Sequence, residues 1–254
     1  MKIVRRVLIA AAVTLALLAL GVNWVVPVVT SIYAARNAPA IARLVPGELK
    51  DLSISPAPGH KLSYFGYEFE VPWTDLDQTQ TRLHPENHPN QVVLTFRSGL
   101  HLQVTVLPAK EFIDNLGASF PGSPQAMNNF IEASFGHEAT QSDYIFLKRL
   151  YEFTPAKMNC WSLSQRVHYR EGFLLILKSA SLPLWAKGGI FNIQSGSYKG
   201  FQQGAPQIRP PGIAASLYSN DGAVEFIFSQ KNYQNSAGVS QSEINRVVQS
   251  LHKL

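Results

Sequence analysis

The chain has 254 residues, 46% of them hydrophobic and 15% charged, where an ordinary globular domain carries about 25% charge. That composition excludes a disordered chain and a coiled coil. A single cysteine, Cys160, excludes an internal disulfide framework and any cysteine-rich metal site.

The net charge of +5 is unevenly placed. Residues 1–50 hold six basic side chains (Lys2, Arg5, Arg6, Arg36, Arg43 and Lys50) and one acid, Glu48, whereas residues 51–254 hold 16 basic and 16 acidic groups. A domain that neutralises phosphates needs a basic excess or a basic stripe. Beyond residue 50 the longest basic pairing is Lys148-Arg149, so no nucleic-acid partner is expected.

Lys2, Arg5 and Arg6 precede an uncharged run that reaches Tyr33. Residues 7–26 match the ~20 apolar residues that cross ~30 Å of hydrocarbon. Trp24 and Tyr33 lie near its outer end, where amphipathic rings favour the membrane interface. Residues 1–33 are therefore expected to form one transmembrane anchor. The basic residues before the span keep the amino terminus in the cytoplasm, placing the rest outside the inner membrane. The alternative is a secretory signal cleaved near Ala38-Pro39-Ala40, which would release the domain.

Residues 34–59 are expected to be a stalk, because Pro39, Pro46-Gly47 and Pro56-Ala57-Pro58-Gly59 interrupt any regular element. Residues 60–254 form the exported domain. Its first strand is Tyr67-Glu68-Phe69-Glu70-Val71, which alternates apolar and charged residues with period two. A polar loop over 73–90 leads to a hairpin, 91–97 and 100–107, turning at Ser98-Gly99.

Helices are expected at 109–116, at 124–135 behind the Ser123-Pro124 cap, after Ser142, and over 162–181. For the last of these, Leu163, Val167, Leu174 and Leu177 define the expected buried stripe. Residues 190–203 read as one bent strand. Residues 213–219 and 223–229 flank Asn220-Asp221-Gly222, a turn signal. At the carboxyl end, Ser240 and Glu243 fit a capping box ahead of Ile244, Val247, Val248 and Leu251. Runs of strands, helices, strands and a helix imply an α+β fold: an antiparallel sheet flanked by helices, an α-β-α sandwich.

Two segments carry a resemblance. Tyr64-Phe65-Gly66-Tyr67-Glu68-Phe69-Glu70-Val71-Pro72-Trp73 runs a glycine-aromatic strand into proline and tryptophan, and Glu225-Phe226-Ile227-Phe228 precedes the last helix. In this the chain resembles the PsbP-like superfamily, whose domains are α-β-α sandwiches around an antiparallel sheet. The resemblance implies an architecture and carries over no functional residue.

His84-Pro85-Glu86-Asn87-His88 has metal-ligand composition, two imidazoles and a carboxylate suited to zinc. Pro85 and Pro89 place it in a loop, where the helical spacing of zinc proteases is lost, so a polar surface loop is the competing explanation. Tyr64, Phe65 and Tyr67 could line a ligand pocket or belong to the core. Phe201 and Arg209 lie in a Gly/Pro/Gln-rich stretch over 200–212, read either as a recognition loop or as a plain connection. No Gly-x-Ser-x-Gly or phosphate-loop spacing occurs.

No cofactor is expected. The leading expectation is a membrane-anchored, non-enzymatic domain that binds an envelope protein partner or aids envelope assembly. A small-molecule or lipid-binding domain is the alternative, and a metal-dependent hydrolase using His84, Glu86 and His88 stands third.

Overall fold

The structure is a computed structural model and describes residues 14, 21–85, 88–119, 123–206, 212–230 and 238–254. It divides into two compact units. The helical unit joins the chain up to Arg43 with Phe153–Ser181, and the sheet unit comprises Leu44–Glu152 and Leu182–Leu254.

The sheet unit carries eleven strands among its described residues, arranged in two sheets. The larger contains β1 (Pro46–Glu48), β4 (Arg82–Leu83), β5 (Gln91–Thr95), β6 (Leu100–Pro108), β7 (Ile190–Ser195), β8 (Tyr198–Gln203), β9 (Gly212–Ser219) and β10 (Gly222–Gln230). Their order is β1-β7-β8-β9-β10-β6-β5-β4. Only β1 against β7 is parallel; the other pairs are antiparallel. The smaller sheet places β3 (Tyr67–Val71) between β2 (His60–Tyr64) and β11 (His252–Lys253).

Alternation decides which face each residue covers. Val92, Leu102, Val104, Ala215, Leu217, Val224, Phe226 and Phe228 share one face of the large sheet and are buried. The small sheet packs there through Tyr67, Phe69 and Val71, and Phe69 meets Phe226 edge-on at 5.2 Å. Beside it lies the last helix, α6 (Gln241–Gln249), with Ile244, Val247 and Val248 buried. Both halves of the capping box form: Ser240 Oγ accepts from Glu243 N, and Ser240 N donates to Glu243 Oε2.

The opposite face is covered by α4 (Asp143–Glu152), whose Tyr144 and Tyr151 pack on Phe201 of β8. Two further helices, α2 (Glu111–Ser119) and α3 (Pro124–Phe135), precede it. Ser123 caps α3 as its sequence implies, its Oγ accepting from Ala126 N. The Asp143 carboxylate accepts from Phe112 N and Ile113 N, satisfying donors at the start of α2. The fold is thus α+β, with an antiparallel-dominated sheet and helices packed on its faces. On one face a second sheet shares the covering with α6.

Several local expectations change. Residues 190–203 are a hairpin rather than a bent strand, with β7 and β8 joined at Gly196-Ser197. Gly196 has φ +54, a left-handed turn conformation that glycine adopts freely. Part of the expected stalk is tied into the sheet unit. β1 pairs with β7, Asn245 Nδ2 donates to the Asp51 and Ser53 carbonyls, and Arg246 Nη1 donates to the Ser55 carbonyl.

The helical unit contains a π-helical turn, Gly21–Val25, that leads into α1 (Val26–Asn37), and α5 (Gln165–Ser181). Leu163 is not on the buried side of α5: it precedes the helix and is 78% exposed. The covered residues are His168, Glu171, Leu174, Leu175, Leu177 and Lys178. Among the described residues no helix is long and apolar enough to cross a membrane. Most of the apolar stretch 7–26, on which the anchor expectation rests, lies outside the described residues.

Candidate functional site

On the sheet unit, α4 meets the turns that end β7–β8 and β9–β10. Topology rather than sequence proximity creates this place. β8 and β9 are neighbours, Lys199 pairs with Tyr218, and Phe201 pairs with Ser216. The close approach needs Gly200, because a Cβ there would strike the Ser216 carbonyl. Phe201 is then free to support Tyr144 from below, the rings stacked at 5.4 Å and 23°.

Three clefts open around Tyr144. The first, about 250 Å³, is lined by Lys110, Ser142, Asp143, Tyr218 and Asn220 among others. The second, about 540 Å³, lies between Tyr144, Ser197, Lys199 and Asp221. A third, about 680 Å³, runs past Glu48, Lys148, Asn192, Gln194 and Lys199 toward Gln249. Tyr144 lines all three and Lys199 two of them, so the clefts gather into a grooved surface around one aromatic side chain. Lys110, Lys148 and Lys199 make no ion pair among the described residues.

The floor is electrostatically unusual. Burial pushes the Glu225 carboxyl above its ordinary value, against a hydrogen bond from Ser216 Oγ at 3.2 Å. Burial also raises Asp143, opposed by the two backbone donors it caps. The Tyr218 phenol is held well above its usual range by burial, with Tyr151, Glu225 and Asp143 adding to the effect. Acids whose pKa is raised by burial therefore lie under a rim that carries lysines.

The chain matches no family model, no curated protein and no solved structure. The groove must be interpreted from its own chemistry.

The residues singled out from sequence are dispersed. Tyr67 is in the core, and Tyr64 packs on Phe65 and Phe69. Phe65 occupies the tight turn before Gly66, with φ +53. Phe201 is on the other face of the large sheet, as the support of Tyr144 rather than as a contact surface. Arg209 and Glu86 lie outside the described residues. His84 N donates to the Gln91 carbonyl and its ring sits 5.6 Å from that of Phe65. His88 N donates to the Pro85 carbonyl. Among the described residues no group of three metal-ligating side chains converges.

Tyr144, Lys148, Lys199 and Asn220 escaped sequence reasoning. They come from α4, β8 and the β9–β10 turn, and only the last of these had a local signal, the Asn-Asp-Gly turn.

The helical unit holds a serine–histidine pair. Ser31 Oγ and His168 Nδ1 are 2.7 Å apart, and His168 Nε2 is 2.8 Å from the Ser162 carbonyl. A carbonyl only accepts, so Nε2 carries the proton and Nδ1 accepts from Ser31. Both side chains are buried within the unit, and the pair ties α1 to α5. Cys160 is no activated thiol, since burial and the nearby Glu171 push its pKa up.

Proposed function

We propose that the chain is a membrane-anchored binding module. Its extracytoplasmic sheet unit holds an extended polar segment of an envelope protein partner in the groove around Tyr144. The observation that carries this is the grouping of three open clefts about one aromatic side chain. Small-molecule sites are enclosed and mostly apolar. This groove is open, long and rimmed by lysine, asparagine and glutamine, which suits a backbone with polar side chains. Tyr144 supplies amphipathic area at little entropic cost, as tyrosines do at recognition surfaces. Lys148 and Lys199 favour acidic groups on the partner.

The basic leader and the apolar run 7–26 support the anchor and the exported orientation. The PsbP-like resemblance concerns architecture, and architecture alone does not assign a role.

Photo-crosslinking residues placed at Lys148 and Lys199 of the full chain in cells test the proposal, with Lys61 as an exposed control. A discrete adduct from the two groove positions, weakened by Tyr144→Ser, is expected. Adducts of equal yield from Lys61, or none from the groove, would remove the groove from the function.

A further inference from the structure

The helical unit contains a descending loop that the binding reading leaves unused. Three hydrogen bonds trace it along α5. Lys178 Nζ donates to the Phe153 carbonyl at 2.7 Å, Asn159 N donates to Glu171 Oε2 at 2.7 Å, and His168 Nε2 donates to the Ser162 carbonyl at 2.8 Å. As the loop number rises from 153 to 162, its partner on α5 falls from 178 to 168. The loop therefore runs antiparallel to α5 and turns at its amino-terminal end. There Gln165 Nε2 donates to both the backbone carbonyl and Oδ1 of Asn23, each at 3.1 Å. The loop tip is thus level with Asn23, inside the apolar stretch and next to Trp24.

Two large apolar side chains stand out at that tip. Trp161 is 70% and Leu163 78% exposed. Tyr169, one turn up α5, is also exposed. Isolated exposed leucines are ordinary, but a tryptophan and a leucine on one short loop tip, fixed beside an apolar span, are not. The charge agrees. From Met158 to Arg170 the chain has Arg166 and Arg170 and no acid. Basic side chains flanking inserted aromatics suit anionic headgroups.

We propose that residues 158–164 form a membrane-interface foot. Trp161 and Leu163 enter the headgroup–acyl boundary of the leaflet from which the anchor emerges, while Arg166 and Arg170 meet anionic headgroups. The foot rests on the anchor reading. It would fix the rotation and tilt of α1 and α5 at the bilayer surface, which one spanning helix leaves free.

The test uses the full chain carrying Leu163→Cys and Cys160→Ser, labelled at the single thiol with an environment-sensitive fluorophore. It is reconstituted in vesicles of phosphatidylcholine and phosphatidylglycerol. Ala180→Cys in the same background is the control; it is exposed on α5 and roughly 22 Å beyond Gln165 along the helix. A foot buried about 5–10 Å into the boundary predicts a blue-shifted label at 163, quenched about threefold more by lipids brominated near the headgroup than at the chain end. The label at 180 should be unquenched. Trp161→Ser should reduce quenching at 163, and replacing phosphatidylglycerol by phosphatidylcholine should weaken it.

Resistance to alkaline extraction scores the anchor separately. A chain that resists extraction but shows no quenching at 163 overturns the foot and keeps the anchor. So does quenching that appears only with a second membrane protein present, because a protein partner then covers the tip. If the chain is extracted, the anchor fails, and the labelled protein is added to vesicles from outside. Quenching at 163 alone would then support the foot, and its absence would overturn it.

Discussion

Helices α5 and α6 each have one side covered, in different units and by different chemistry. On α6 the covered side is Ile244, Val247 and Val248, with Gln241 and Asn245 at its edge. Gln241 exchanges hydrogen bonds with Gln202, and Asn245 holds two backbone carbonyls. On α5 the covered side mixes leucines with His168, Glu171 and Lys178, each bonded to a backbone group in the loop before the helix. The first helix is held by apolar area with polar fastening at the margin. The second is fastened to its own preceding loop, and its polar groups sit where a stripe would be apolar. Buried polar groups tolerate such placement only while their partners stay.

Removing apolar area should therefore be most costly in the sheet unit. Ile244→Ala, at a fully buried site, is expected to destabilise that unit by about 2–5 kcal/mol. Denaturant unfolding of parent and variant measures it. A shift below about 0.5 kcal/mol would mean that α6 is not part of the core, since surface changes stay within that range.

In the helical unit the largest effect should depend on pH. Lys178 is buried and its pKa is lowered to about 8, by burial first and by Lys157 second. The unfolded chain then binds more protons between pH 8 and about 10.5, so stability rises with pH in that window. The slope is at most about 1.4 kcal/mol per pH unit. Cys160 acts in the opposite sense, its thiol being raised, so the comparison is best made in Cys160→Ser. Amide exchange of α5 across this range should show growing protection that Lys178→Met abolishes. An unchanged slope in Lys178→Met would place the titration elsewhere.

His168→Ala strands the Ser31 hydroxyl and the Ser162 carbonyl, at about 1–3 kcal/mol for groups left buried without partners. The loss should be local. Protection should fall in α5 and in the loop around Ser162, with the sheet unit unaffected. If protection falls equally in both units, they do not unfold independently and the contrast between them fails.

The same contrast explains what the sequence disclosed. In β3, Tyr67, Phe69 and Val71 alternate with Glu68 and Glu70, and the pattern survives because one face is core and the other wet. The α6 capping box and stripe were legible for the same reason: all their determinants are local. For α5, Leu163 and Val167 suggested a stripe, while the true contacts use His168, Glu171 and Lys178, whose partners no periodicity contains. The β7–β8 hairpin was hidden because Gly196 is one of several glycines between Gly188 and Gly204, so the one at the turn does not stand out, and its positive φ marks it only in the structure. The groove was least legible. Tyr144 and Lys199 are 55 residues apart and line the same clefts only because β8, third from the β1 edge, lies under α4.

The smallest expected effect tests the floor of that groove. Glu225 sits on the face of the large sheet that α4 covers, accepting from Ser216 Oγ at 3.2 Å. Burial raises its pKa above the ordinary carboxyl value. A group with a raised folded pKa contributes stability that is complete below its unfolded value, near 4.5, and is lost as pH rises through the folded value. Above the folded value the protein therefore carries the cost of a buried carboxylate. Glu225→Gln keeps a carbonyl oxygen for Ser216 and removes the charge. It should stabilise the sheet unit at pH values where the parent carboxyl is ionised. Asp143 and Glu171 are raised in the same direction, so both parent and variant gain from them on acidification, and only the difference between the two reports on Glu225. That difference should vanish by about pH 4, where the parent carboxyl is neutral too. A loss of stability at pH 7 would show instead that the carboxylate's bond from Ser216 outweighs the cost of its burial.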